Sequence, residues 1–282
     1  MTLREELEQT VLAMKNETDK STKSSNTSTT TPTIYGTNEC PKCHGSGWEL
    51  FFDENGYEVA RECDCGIRQK SIHENRLQFA SIPEAYKNIS LKDFSTRYYT
   101  GYNKEGAKAV ANCVKYWLEH KDSMDEAGKG LFFWSETKGS GKTMLITALA
   151  NELINKYGEY VKFATSLDIL DEIRRTYSMP NDKDDNESRL LSDLTTVKYL
   201  VIDDFGTERA TEWAGEKFYQ IVNKRYINKK VTFFTSNFDL KTLNYDDRIT
   251  SRIKERSFSV HFPEESVRDV KAKAENTFDT KS

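Results

Sequence analysis

Gly139, Ser140, Gly141, Lys142 and Thr143 follow the apolar run Leu131-Phe132-Phe133-Trp134 and open an amphipathic segment. A strand, a glycine turn and Lys-Thr at a helix start have the geometry of a phosphate-binding loop. Backbone N–H groups of the turn and the positive end of the helix dipole converge on one spot, where an anion is stabilised. Lys142 is expected to reach the β- and γ-phosphates as a point charge, with Lys138, Gly139, Ser140 and Gly141 around them. Thr143 is expected to offer its hydroxyl to Mg2+. The bare alternative is a glycine-rich helix start with a solvated lysine. The full pattern G-x-x-x-x-G-K-[ST] asks for glycine at position 136, and Glu136 stands there. A carboxylate beside a triphosphate is electrostatically awkward, so the Glu136 side chain is expected to point to solvent.

Two further apolar runs end in groups able to work on a phosphate. Val197-Lys198-Tyr199-Leu200-Val201-Ile202 runs into Asp203-Asp204. In a parallel sheet the strand C-termini share one edge, so these carboxylates and the phosphate loop belong together. Asp203 is expected to organise Mg2+, and Asp204 to polarise an attacking water. Val231-Thr232-Phe233-Phe234-Thr235-Ser236 ends in Asn237, which would lie on the same edge and orient water or a phosphate oxygen. Taken singly, each is also what an ordinary strand running into a polar turn looks like.

The second chemical signal is thiol spacing. Cys40-Pro41-Lys42-Cys43 and Cys63-Asp64-Cys65 form two close pairs with glycines beside them, and Asp53-Glu54-Asn55-Gly56 between them reads as a hairpin turn. Four thiolates so spaced suit tetrahedral Zn2+. His44 is the minor alternative ligand, and Cys40-Pro41-Lys42-Cys43-His44 also matches a haem-attachment pattern that would leave Cys63 and Cys65 unexplained. Cys113 lies in a helical apolar stretch and reads as core.

The elements that must position these groups follow from periodicity. Strands are expected at 131–135, 160–164, 198–202, 231–236 and 257–262, with helices at 142–157, 167–177 and 212–228 between them. A polar loop, 178–187, leads into a short helix. Alternation of this kind means an α/β fold, a parallel sheet covered by helices on both faces. Ahead of it stand a helical stripe of Leu3, Leu7, Val11 and Met14 and a Ser/Thr-rich stretch. The expected organisation is 1–38 helix and flexible linker, 39–77 zinc-binding module with connecting helix, and 78–282 ATPase domain.

Loop Gly139–Thr143, Asp203-Asp204-Phe205-Gly206 and Thr235-Ser236-Asn237 resemble the Walker A, Walker B and sensor 1 elements of the AAA+ family of P-loop NTPases. The closer resemblance is to the DnaC/DnaI helicase-loader group with its phage-borne and IstB-like relatives. Ala80-Ser81-Ile82-Pro83-Glu84-Ala85-Tyr86 with Asp93-Phe94 is similar to the lead-in of that group. Arg248-Ile249-Thr250-Ser251-Arg252-Ile253 resembles its box VII, which implies Arg252 as an arginine finger acting on a neighbouring subunit. Phe262–Arg268 resembles its sensor 2 segment, which implies that Arg268 faces nucleotide and that no helical lid domain follows. Asp204 stands where many relatives carry glutamate, one methylene longer, which fits a slow switch better than a motor.

The resemblance implies an ATP-dependent helicase loader in DNA replication with ATP and Mg2+ as ligands. It would bind single-stranded DNA, assemble into an oligomer and deliver a hexameric DnaB-type helicase gripped by the zinc module and the helix at residues 1–15. The alternatives are an IstB-like transposition helper and a non-hydrolysing replication adaptor. Composition agrees with a polar, non-membrane chain: of 282 residues 37% are hydrophobic and 30% charged, with a net charge of −4. No run of about 18 apolar residues is present, and Met1–Glu6 lacks a secretion core, so a cytoplasmic address is expected. Overall acidity argues against a protein that coats nucleic acid by bulk charge. Arg174, Arg175, Lys229 and Lys230 are candidate local DNA contacts.

Overall fold

The computed structural model describes residues 40–177, 183–208 and 211–276. The expected N-terminal helix and linker lie outside the described residues. Trp48–Phe52 (β1) and Glu58–Glu62 (β2) pair antiparallel, Trp48 opposite Glu62 and Phe52 opposite Glu58. Their turn is closed by Asp53, whose carboxylate accepts from the N–H groups of Asn55 and Tyr57. Ile67–Ala80 (α1) follows, and the expected boundary at 77/78 falls inside it. Leu77 and Ala80 already pack on the main core.

The larger sheet is built from Gly130–Trp134 (β3), Val161–Thr165 (β4), Tyr199–Asp203 (β5), Val231–Ser236 (β6) and Ser257–His261 (β7). All neighbours are parallel, in the order β4-β5-β6-β3-β7. The phosphate-loop strand β3 and the carboxylate strand β5 therefore flank β6, and the ends of all three meet at one edge. The helices are Gly101–Glu119 (α2), Lys121–Ala127 (α3), Lys142–Asn155 (α4), Ser166–Thr176 (α5), Lys183–Thr196 (α6), Glu212–Ile227 (α7), Asp247–Arg256 (α8) and Val267–Glu275 (α9).

Side chains alternate across a strand, so each apolar run feeds two cores. Leu131, Phe133, Tyr199, Val201, Val231 and Phe233 pack with α2 and α4 around Trp117. Phe132, Leu200, Ile202 and Phe234 pack with α5, α7 and α8 around Phe218. This confirms the two-faced parallel sheet. One expectation shifts: α6 begins at Lys183, inside the stretch read as loop, because Leu190, Leu191 and Leu194 fold a helix onto the second core. Cys113 lies half-buried on α2 against the first core, as expected.

Fully buried Arg225 ties the sheet edge opposite the phosphate loop. Its guanidinium donates to the carbonyls of Leu194, Val197, Lys198 and Val231 and to the Thr232 hydroxyl. Backbone oxygens rather than an acid satisfy the buried charge.

Candidate functional site

The loop between β3 and α4 needs glycine where the chain turns left-handed. Gly139 has φ +77°, and a Cβ there would sit 2.9 Å from Cβ of Arg268. Gly141 has φ +98°, and a Cβ would meet the Tyr99 hydroxyl at 2.9 Å. Glu136 does not take a left-handed φ and its side chain is exposed. The loop thus closes without glycine at 136, and the carboxylate points outward as expected. Gly141 caps α4 with no side-chain acceptor. Helices α5, α7, α8 and α9, by contrast, are capped by Thr165, Thr211, Asp246 and Ser266. The first N–H groups of α4 are therefore presented to an anion.

Around this loop lies a cleft of about 500 Å3, lined by Lys138 through Met144, Asp204, Thr207, Asn237, Arg268 and Lys271, together with Tyr86 and Ile89. That volume is in the range of small-ligand sites. Tyr86 and Ile89 come from the lead-in, and Asn151 of α4 holds it by donating to both of their carbonyls. Tyr99 donates to the Ser140 carbonyl at 2.6 Å, so the lead-in also pins the loop. Arg268 joins from the other side, its N–H donating to the Gly139 carbonyl at 3.3 Å.

Lys142 Nζ donates to the carbonyls of Ser135 and Thr137, at 3.2 and 3.1 Å, and to Oγ of Ser140 at 3.3 Å. Burial pulls its pKa below the ordinary lysine value, against the opposing charges of Asp204, Glu264 and Asp203. Asp203 Oδ1 accepts from Thr143 at 2.9 Å and from the Thr235 hydroxyl. Burial raises the Asp203 carboxyl to about 6, although those hydrogen bonds work to lower it. Asp204 has φ +53°, an uncommon conformation for a non-glycine residue. It is held there by Thr235, which accepts from the Asp204 N–H, and by Ser166, which donates to the Asp204 carbonyl. Buried Glu208 completes the support, accepting from Ser166, Tyr245 and the Gly206 N–H. Sequence reasoning had no signal for Glu208 or Tyr99, because their partners are distant in the chain or lie in an irregular turn.

Lys138, Gly139, Ser140, Gly141, Lys142, Thr143, Asp204, Asn237 and Arg268 are thus brought to one cleft, with Asp203 bonded to Thr143 at its floor. Arg252 is not among the residues lining that cleft. It lies on α8, where Nε donates to Asn223 Oδ1 at 2.9 Å and Nη1 to the Arg248 carbonyl at 2.6 Å. Of the candidate DNA contacts, Arg174 is paired with Asp171 and lies over Trp213, while Lys230 borders a small recess with Arg252 and Arg256.

The ligand sulfurs of Cys40, Cys43, Cys63 and Cys65 all lie within 4.8 Å of one another. Zn–S bonds of about 2.3 Å at tetrahedral angles put sulfurs about 3.8 Å apart, so the group fits zinc. His44 is not part of it. No helix among the described residues is long and apolar enough to cross a membrane.

Comparison with known proteins agrees with this geometry. The model of the family described as IstB-like ATP binding protein matches residues 64–269. A phage-like element PBSX protein, XkdC of Bacillus subtilis, is 26% identical over 223 residues, covering 77% of this chain and 79% of that protein. The replicative helicase loader DnaC of Buchnera aphidicola subsp. Baizongia pistaciae is 29% identical over 216 residues, covering 76% and 82%. The crystal structure of a DnaC helicase loader superposes with a TM-score of 0.54 at 22% identity, over 64% of this chain and 99% of that one, a likeness of fold.

Proposed function

The chain belongs to the family of IstB-like ATP-binding proteins, and on that footing we propose that it is an ATP-hydrolysing loader of a replicative hexameric helicase. The observation that carries the reading is the convergence of Lys142, Thr143, Asp204, Asn237 and Arg268 on one cleft above Asp203.

Lys142 is the group that changes partner, leaving the Ser135 and Thr137 carbonyls for β- and γ-phosphate oxygens. Thr143 and Asp203 would hold Mg2+, which would neutralise phosphate charge when bound. Asp204 takes the proton of a water whose oxygen attacks the γ-phosphorus as the bond to the β–γ bridging oxygen breaks. Asn237 orients that water or a γ-oxygen, and Arg268 meets the nucleotide from the C-terminal segment. Arg252 serves a neighbouring copy, so turnover depends on assembly on single-stranded DNA. Cys40, Cys43, Cys63 and Cys65 would hold Zn2+, which would shape the module that grips the helicase. A cytoplasmic address fits this work.

The test uses the full-length chain: Mg2+-dependent ATP turnover, and co-elution with the purified hexameric helicase of the host. Both are expected. Turnover without helicase binding, but with capture of a transposase on duplex DNA, would favour the IstB-like transposition helper. ATP binding without any turnover would favour the adaptor.

A further inference from the structure

Glu264 lies between β7 and α9 and makes contacts that neither core needs. Its Oε2 accepts from the Thr137 N–H at 2.7 Å and from the Ser135 hydroxyl at 3.0 Å. Its Oε1 accepts from the Glu136 N–H at 3.1 Å and meets Nε2 of His261 at 2.7 Å. His261 is itself stacked on Trp134, ring centroids 4.1 Å apart. One carboxylate thus holds the first turn of the phosphate loop from a point 128 residues further along the chain.

Lys142 grips the same turn by its carbonyls, at Ser135 and Thr137. When Lys142 turns to a phosphate both of those bonds are given up, while the Glu264 bonds to Ser135, Glu136 and Thr137 remain, beside the Ser135 N–H bond to the Ser236 carbonyl. We propose that Glu264 is a positioning residue of the nucleotide site, fixing the entry turn of the phosphate loop while Lys142 exchanges loop carbonyls for phosphate oxygens. The inference rests on the nucleotide reading above. It also accounts for Glu136: the turn takes its shape from an outside carboxylate instead of from a glycine. Bonds to an ionised carboxylate are about twice as strong as neutral ones. Burial works to raise this carboxyl, but hydrogen bonds from Thr137, His261 and Ser135 outweigh it and bring the group down to about 2, so the anchor is ionised at neutral pH.

The test compares full-length parent, Glu264→Ala and Glu264→Gln for binding of ATP, ADP and adenosine and for kcat and KM. Adenosine carries no phosphate, so a fault in the loop leaves its affinity at the parent level. The expected result is ATP and ADP affinity lowered about tenfold in Glu264→Ala, adenosine unchanged, and KM raised more than kcat is lowered. Glu264→Gln, which keeps one good acceptor oxygen, falls between, and serves alone if the alanine variant does not fold. Unchanged ATP affinity in a parent that binds ATP overturns the inference alone. So does an equal loss for adenosine and ATP, which marks general loosening. A parent that binds no ATP overturns the nucleotide reading and this inference with it.

Discussion

The Thr143 hydroxyl donates to Oδ1 of Asp203 at 2.9 Å across sixty residues of chain. Thr143 opens α4, which follows β3, and Asp203 ends β5, and those two strands do not pair because β6 runs between them. Thr235 at the end of β6 donates to the same carboxylate oxygen and accepts from the Asp204 N–H. One helix start and two strand ends are thereby locked together where a hydrated Mg2+ and a γ-phosphate would be handled. The site is preorganised by the sheet rather than by the loop alone.

Replacing the two anchors should separate binding from chemistry. Lys142→Ala is expected to abolish measurable ATP binding in calorimetry, because Lys142 is the buried lysine of the loop whereas Lys138 is exposed. Asp203→Asn should retain part of the ATP affinity yet lose Mg2+-dependent turnover. ATP binding by Lys142→Ala at the parent level would refute the phosphate-loop assignment.

The cysteine group makes its own prediction. Elemental analysis of chelator-free protein should find about one zinc per chain. Cys63→Ser should lose the metal and helicase co-elution while leaving ATP binding intact. Protein that contains no zinc from the start would remove the metal from this account.

Much of this is legible in the sequence. Continuous apolar runs ending in Asp203-Asp204 and Thr235-Ser236-Asn237 announce strands buried on both faces with polar tips on one edge. The phosphate loop and the thiol pairs are likewise local patterns with local physical meaning. What could not be read is what holds them. Glu264 reaches the N–H of Glu136 across 128 residues, and Tyr99 reaches Ser140 across 41. A lone glutamate in a turn or a tyrosine after a short helix has no periodicity to betray its partner. Arg225 shows the same limit: its spacing from Phe218, Ile221 and Val222 puts it on the buried face of α7, but its charge alone suggests the surface.

Arg225→Met should be costly for stability and silent for chemistry. It strands the carbonyls of Leu194, Val197, Lys198 and Val231, each a buried acceptor. A loss of about 3 kcal/mol or more is expected, near 6–12 °C in melting temperature for a domain of this size. ATP affinity measured well below the transition should stay at the parent value. A melting point within 2 °C of the parent, to order of magnitude, would show that these carbonyls find other donors.

The Glu264 carboxyl also sets an acid-stability difference. Its value in the fold is about 2 against 4.5 for the unperturbed group, so ionisation favours the folded state. That contribution is complete above about 4.5 and is lost as pH falls toward about 2. His261 and the Ser135 and Thr137 donors face the same carboxylate and remain in Glu264→Gln. Between those two pH values the parent should therefore lose more stability than Glu264→Gln, measured by denaturant midpoint. Parallel curves for the two proteins would contradict the depressed value.

Arg252 carries the prediction on which assembly turns. In one chain its guanidinium is occupied by Asn223 and the Arg248 carbonyl and lies 5.3 and 5.5 Å from the ring centres of Tyr219 and Tyr226. It makes no wall of its own nucleotide cleft. An arginine that stabilises the transferring phosphoryl group is worth about 10³–10⁵ in rate and far less in ground-state affinity. Arg252→Ala should accordingly bind ATP near the parent level and lose turnover. Mixing it with excess protein carrying both Asp203→Asn and Asp204→Asn should restore part of the activity, because an interface then pairs an intact cleft with an intact arginine. Parent turnover per chain should rise with protein concentration. A rate independent of concentration and untouched by Arg252→Ala would assign this residue to the packing of α8 on α7, and hydrolysis to the single chain.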